Sequence, residues 1–228
     1  MIYLLWPTIR PHVFNGAHKK WINAADNNKN IKIIVAANNI EDAQIVKKSL
    51  RNSDEVIILN TAKRGVCYPS YVLSSKLEAN NDDIVILASD DFTAPDHFDT
   101  YLINKLKGRD SLLMVRDGYQ KPDSSNMRDP VITIPIMTFG ALLKLNKIIY
   151  HTAYSHMCSD AELYLNAKEL GLLIDDRLTD TTTFTHLHWA AGLRQPDQND
   201  VAYNNNWAAD EATWSKRKLM SVQERLKI

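Results

Sequence analysis

The sequence predicts an α/β fold with a mostly parallel central sheet flanked by helices. Three observations lead there. Five short blocks rich in Ile, Val and Leu recur along the first half of the chain. Longer stretches of helical periodicity separate them. The composition, 45% hydrophobic and 24% charged over 228 residues, supplies enough apolar material for one sizeable core and argues against disorder.

The first block, Ile2 to Trp6, reads as a buried strand and is followed by a helix over 14–26. Ile31 to Ala36 forms the second strand, and Asn39 stands where an N-cap would start a helix over 40–51. Val56 to Leu59 is the third strand, with a helix over 68–79 that carries Pro69 near its first turn. Ile84 to Leu87 and Leu112 to Val115, on either side of a helix over 96–107, complete a βαβαβαβαβ order. Right-handed crossovers then give a parallel sheet that offers ligands the carboxyl ends of its strands.

Past residue 117 the rhythm breaks. The polar loop over 117–130, which contains GYQKPDSSNMRDP, has the composition of a lid; an apolar segment at 131–145 and a helix at 159–170 follow. Ser159, Asp160, Ala161 and Glu162 have the spacing of a capping box for that helix, and a strand pair is expected within 172–188. From Asp197 the chain is rich in Asn and Trp and ends in a charged helical stretch with Lys216, Arg217 and Lys218. The whole reads as one domain: a ligand-binding half over 1–116, a second half over 117–190 forming a smaller subregion, and a tail over 191–228.

Several classes are excluded. The 27 basic and 27 acidic residues cancel, removing the broad positive field of a protein held on phosphate backbones, although Lys216, Arg217, Lys218, Arg225 and Lys227 leave a local basic tail. VITIPIMTFGALL is too short to cross a bilayer, so no stable membrane insertion is expected. MIYLLWP lacks the basic start of a secretory signal, which points to the cytoplasm. Cys67 and Cys158 lack CxxC spacing and read as reduced thiols. With seven glycines and neither GxGxxG nor GxxxxGK[ST], the chain has no glycine loop for phosphate.

Something else must neutralise phosphate if it binds. Asp82, Asp83, Asp90, Asp91, Asp96 and Asp99 lie in one stretch without Lys or Arg. Asp90 and Asp91 directly follow the strand IVILA, at the carboxyl edge of the sheet, where a divalent cation, Mn²⁺ or Mg²⁺, would relieve their repulsion and anchor phosphate oxygens. The simpler reading has Asp91 opening a turn and Thr93 capping the next helix. His186 and His188, two apart in THLHW, project to one face if the segment is extended, as a metal pair or as packed core histidines.

This order of residues resembles a GT-A-like (Rossmann-like) nucleotide-diphospho-sugar transferase, similar to short stand-alone members of the family-two glycosyltransferases, over most of residues 2–190. The resemblance implies a nucleotide-contacting loop at Pro7, Thr8, Ile9, Arg10 and Pro11. It implies base contact at Asn38, where Asn38 and Asn39 replace the usual acid, and an Arg-Gly turn with Arg64 approaching the nucleotide. ASDDF looks like the Asp-X-Asp region with Ser89 in its first position, giving Asp90 a ribose-phosphate role and Asp91 the metal. Asp160 matches the catalytic base, with Glu162 as fallback, and the late histidine falls on His188 ahead of His186.

The activity so implied is metal-dependent transfer of a sugar from a nucleoside diphosphate donor, with uridine first, to a hydroxyl acceptor: a glycan, a lipid-linked sugar or, less favoured, a modified DNA base. Inversion rests on Asp160 as base. Trp189, Tyr203, Trp207 and Trp214 are available to stack on sugar rings or to fill the core. Two other readings stay open: a metal-dependent hydrolase built on Asp90, Asp91, His186 and His188, and a non-catalytic nucleotide- or sugar-binding module.

Overall fold

A computed structural model describes residues 1–61, 65–118, 130–178, 182–189, 192–197 and 206–228. Its central sheet has seven strands in the order β3-β2-β1-β4-β7-β6-β8. β1 (Ile2–Thr8) lies between β2 (Ile31–Ala37) and β4 (Ile84–Leu87), parallel to both, and β3 (Glu55–Ile58) adds to β2. The crossovers are α1 (Pro11–Ala24), α2 (Ile40–Lys47) and α3 (Cys67–Lys76). Asn39 caps α2, its side chain accepting from the Asp42 backbone N–H at 2.8 Å. Pro11 at the start of α1 explains why that helix begins three residues before the expected 14: its fixed φ suits a first turn that needs no N–H.

The order beyond β4 differs from the simple alternation. A two-residue strand, β5 (Phe92–Thr93), and α4 (Phe98–Leu106) lead into β6 (Leu112–Met114). β6 does not lie against β4, because β7 (Ile136–Thr138) from the apolar 131–145 segment inserts antiparallel between them. Hydrophobic blocks specify burial but not which neighbour a strand takes. Thr93 sits in β5 and does not cap α4, whose N-cap is His97. α5 (Phe139–Lys144) and α6 (Ser159–Glu169) follow. The expected strand pair within 172–188 is two separate strands: β8 (Leu173–Asp175) joins the main sheet beside β6, while β9 (Thr185–His186) pairs antiparallel with β5.

The core lies on both faces of the sheet. Strand alternation sends Leu4 and Trp6 of β1 toward α1 and α4, where Phe14, Trp21 and Phe98 meet them, and Leu5 toward α3, α5 and α6. Among the described residues, no helix is long and apolar enough to cross a membrane.

The C-terminal helices α7 (Trp207–Arg217) and α8 (Val222–Arg225) dock on α6 through buried charge. Arg217 makes a bidentate pair with Glu162, both bonds 2.8 Å, and the Tyr154 hydroxyl donates to the same carboxylate at 2.7 Å. Arg225, fully buried, donates to Asn166 at 2.7 Å and Glu169 at 2.6 Å. Two of the five tail cations are thus structural. The expected capping box of α6 is absent for the same reason: Glu162 turns to Arg217, Ser159 Oγ donates to the His156 carbonyl at 3.1 Å, and a capping box forms instead at Ser221 and Glu224.

Removing one partner of such a pair leaves the other charge buried. Glu162→Ala is expected to destabilise the fold by roughly 3–5 kcal/mol. Thermal denaturation should read this as a fall in Tm on the order of 10 °C, with partial recovery when Arg217→Met is added.

Candidate active site

β1 and β4 end side by side, and the loops leaving them form one wall of a cleft of about 510 Å³. Thr8, Arg10, Asp90, Asp91, Asp160, His186 and His188 all line it. Among the expected site residues, Asn38 is not part of the lining: it is half-buried beyond β2, its carbonyl accepting from the Asn60 backbone N–H at 3.1 Å. Arg64 and Tyr203 lie outside the described residues, as does most of the 117–130 loop; Gly65, directly after Arg64, is on the cleft wall.

The adjacent aspartates have different surroundings. Asp90 points back into the protein, accepting from Trp6 Nε1 at 2.8 Å and Thr8 Oγ1 at 2.9 Å. Burial pushes its pKa up to about 7, against the pull of those two donors. Asp91 faces the cleft. Burial opposes its ionisation too, but His186, the Ser89 hydroxyl and the charge of Arg10 outweigh that and hold its carboxyl below the ordinary range. Ser89 Oγ donates to Asp91 Oδ1, so the serine in place of the first acid of the triplet supports the last one.

The β5–β9 ribbon delivers the histidines. Phe92 pairs with His186, whose ring stacks on Phe92 at 4.2 Å and lies with Nε2 3.6 Å from Asp91 Oδ2. The backbone N–H of Leu187 donates to the Asp91 carbonyl at 2.7 Å, which fixes the register. His188 meets His186 edge to face at 4.8 Å and stacks on Trp189 at 5.8 Å. The two histidines do share a face, with His186 the closer support of Asp91.

Asp160 opens α6 opposite this pair. Burial raises its pKa, opposed by the Ala161 backbone N–H that donates to Oδ1 at 2.9 Å. The loop before it is held from outside the expected site. Asp210 of α7, 3% exposed, accepts from the backbone N–H groups of Ser155, His156 and Met157 at 2.9, 2.9 and 2.8 Å. One turn earlier, Trp207 lines the cleft with His156 and Met157. Trp189 lines it as well, whereas Trp214 packs against the core. Sequence reasoning missed Asp210 and also Arg194, whose Nη2 lies 3.7 Å from Asp91 Oδ2; a lone acid in a polar helix and a lone Arg in a loop carry no spacing signal.

No protein-family model and no curated protein matches the sequence. Solved structures do match in shape. The mannosyltransferase PcManGT from Pyrobaculum calidifontis, in complex with GDP-Man and Mn²⁺, superposes with a TM-score of 0.64 at 10% identity over 96% of this chain and 64% of that one. S. aureus TarS 1–349 in complex with UDP-GlcNAc gives 0.61 at 18% identity over 81% of this chain and 57% of that one. The chain has the GT-A fold. It spans only 36% of the TarS chain in a further match, at TM-score 0.60 and 14% identity. In this GT-A chain the cleft lies at the carboxyl ends of β1 and β4, where open α/β sheets bind ligands.

Asp210 closes three half-buried backbone donors with one side chain, so its loss should be felt locally. Asp210→Ala is expected to speed amide exchange at Ser155, His156 and Met157 and to cost about 3 kcal/mol; unchanged exchange at those amides would remove the clamp assignment.

Proposed function

We propose that the protein is a metal-dependent, inverting glycosyltransferase that moves a sugar from a nucleoside diphosphate sugar to a hydroxyl acceptor. The observation that carries this reading is the convergence, in one cleft on a GT-A fold, of Asp91 held ionised and Asp160 held at a raised pKa. Two carboxylates pushed apart in this way suit two different tasks. Neighbours of the same fold include a structure with UDP-GlcNAc and one with GDP-Man and Mn²⁺. A uridine donor is the first to test.

Asp91 with His188 fits a divalent cation, Mn²⁺ or Mg²⁺. His186 is committed to Phe92 and to orienting Asp91, while His188 lines the cleft beside it, and one carboxylate plus one imidazole leaves coordination positions for diphosphate oxygens and water. When bound, the cation would neutralise charge developing on the leaving diphosphate. Thr8 and Arg10 stand at the end of β1 to meet the nucleotide, with Arg64 as the further contact the family resemblance assigns; Asn38, outside the cleft lining, is not given that role. Asp90, engaged by Trp6 and Thr8, acts by holding that loop and Asp91 in register.

Asp160 takes the proton of the acceptor hydroxyl as that oxygen attacks the anomeric carbon from the face opposite the diphosphate, inverting the centre. Its raised pKa makes it a stronger base than an exposed aspartate. In this reading residues 1–116 bind the donor and 117–190 supply the acceptor side, to which α7 of the 191–228 tail contributes Trp207. A glycan or other saccharide is the acceptor class favoured by the indoles of Trp189 and Trp207 in the cleft. The hydrolase reading needs Asp90, Asp91, His186 and His188 to share two metals, but Asp90 is engaged by Trp6 and Thr8 and His186 stacks on Phe92.

The first measurement is thermal stabilisation by UDP, GDP and their sugars with and without Mn²⁺, since a ligand that binds only the native state raises its stability. A manganese-dependent shift with one nucleotide is expected, and its loss in Asp91→Asn; no shift with any nucleotide would overturn the assignment.

Asp160→Asn should keep that shift yet lower kcat by about 10²–10⁴-fold. Because the base must be ionised and its pKa is raised, wild-type kcat should fall as pH drops, with a midpoint above the ordinary aspartate range. A pH-rate profile flat down to pH values typical of exposed aspartates would remove Asp160 from this role, as would retention of anomeric configuration in the product by NMR.

A further inference from the structure

The segment 192–197 places Arg194 in the cleft lining and makes two ion pairs of opposite sense. Arg194 Nη2 lies 3.7 Å from Asp91 Oδ2, the carboxylate that would hold the cation. Three residues on, Asp197 Oδ2 lies 2.6 Å from Arg10 Nε, the guanidinium that would meet an anionic donor. The segment is seated by backbone bonds from Gly192 to the Trp189 carbonyl at 2.9 Å and from Leu193 to the His188 carbonyl at 3.3 Å, so it continues directly from the histidines. Arg194 and Asp91 are each about a fifth exposed, at 21% and 19%. Both partners on the cleft side belong to the proposed donor site, and both partners on the segment carry the charge sign of the ligand that site would take.

We infer that Arg194 and Asp197 are internal stand-ins for the donor's two charged parts: Arg194 occupies the cation's place at Asp91, and Asp197 the diphosphate's place at Arg10. This inference rests on the glycosyltransferase reading and adds how its site is kept when empty. A cation arriving at Asp91 meets a like charge in Arg194, and a diphosphate arriving at Arg10 meets one in Asp197; each must displace its counterpart. The exchange replaces one opposite-charge pair with another at each position, so the buried carboxylate and guanidinium are never left uncompensated. Cation and diphosphate arriving together release both ends of the segment, which makes their binding mutually favourable.

Competition predicts a sign that a merely structural role does not. With no nucleotide present, Mn²⁺ binding followed by the loss of its free EPR signal should be about fivefold tighter in Arg194→Gln than in wild type, the effect of removing one modest ion pair. Arg194→Lys, which keeps the charge, should stay near wild type. At a fixed Mn²⁺ concentration, UDP and GDP titrated in turn should show the nucleotide that binds wild type binding several-fold tighter to Asp197→Asn.

Unchanged or weaker Mn²⁺ binding in Arg194→Gln, or unchanged or weaker nucleotide binding in Asp197→Asn, would overturn the inference while leaving the transferase reading in place. Wild-type protein that binds neither Mn²⁺ nor either nucleotide would overturn both.

Discussion

Asp90 ties the ends of β1 and β4 together, and the geometry of the cleft depends on that tie. Its two oxygens take one bond each from Trp6 and Thr8, at 2.8 and 2.9 Å, at the point where both strands leave the sheet. An acid so satisfied anchors the turn between β4 and β5, and the residue after it in that turn is Asp91. Asp91 faces Ser89, His186 and the cleft. Trp6 extends the tie into the core through edge-to-face contacts with Phe14 at 5.1 Å and Trp21 at 6.2 Å, so the rigidity of the site is continuous with the packing beneath α1.

The opposite wall is secured differently. α6 begins after Cys158, a non-glycine residue at φ 63°, and that left-handed turn is held in place from both sides. Asp210 gathers the three preceding backbone N–H groups, and the Ser155 carbonyl packs so closely on Gly65 that a β-carbon there would lie 2.1 Å from it. Gly65, at φ 106°, is thus required both for its conformation and for this approach. The turn after Arg64 and the loop before Asp160 are one contact, which couples the expected nucleotide side to the expected base.

The first half of the fold was legible because strands buried on both faces announce themselves as continuous Ile, Val and Leu runs. The carboxyl-edge argument then placed Asp90 and Asp91 correctly. What was not legible was partnership. Nothing in the sequence near Leu112 says that β7 will come between it and β4, and Ser159 to Glu162 satisfies the capping-box pattern although Arg217, 55 residues away in sequence, takes the glutamate. Ion pairs between distant segments leave no local period. Hence Asp210, Arg194 and Asp197, all in the part of the chain that pattern reading left as a tail or a loop, became visible only in three dimensions.

The scarcity of glycine, seven in the whole chain, bears on how the cleft would handle phosphate under the proposed function. A glycine loop would bring backbone N–H groups close to the oxygens at little electrostatic cost to the empty site. A site that relies on side-chain charges must keep them compensated when no ligand is present, since Asp91 is largely removed from water yet held ionised. Splitting the titration of Asp90 and Asp91 eases the repulsion between them, because burial raises the pKa of Asp90 while Asp91 is held ionised. His186, Ser89 and Arg10 hold that charge, and the guanidinium of Arg194 approaches the same carboxylate at 3.7 Å. The same reliance on side-chain charge in place of glycine backbone, which would shape the proposed binding chemistry, is matched by the pairing of the 192–197 segment with Asp91 and Arg10.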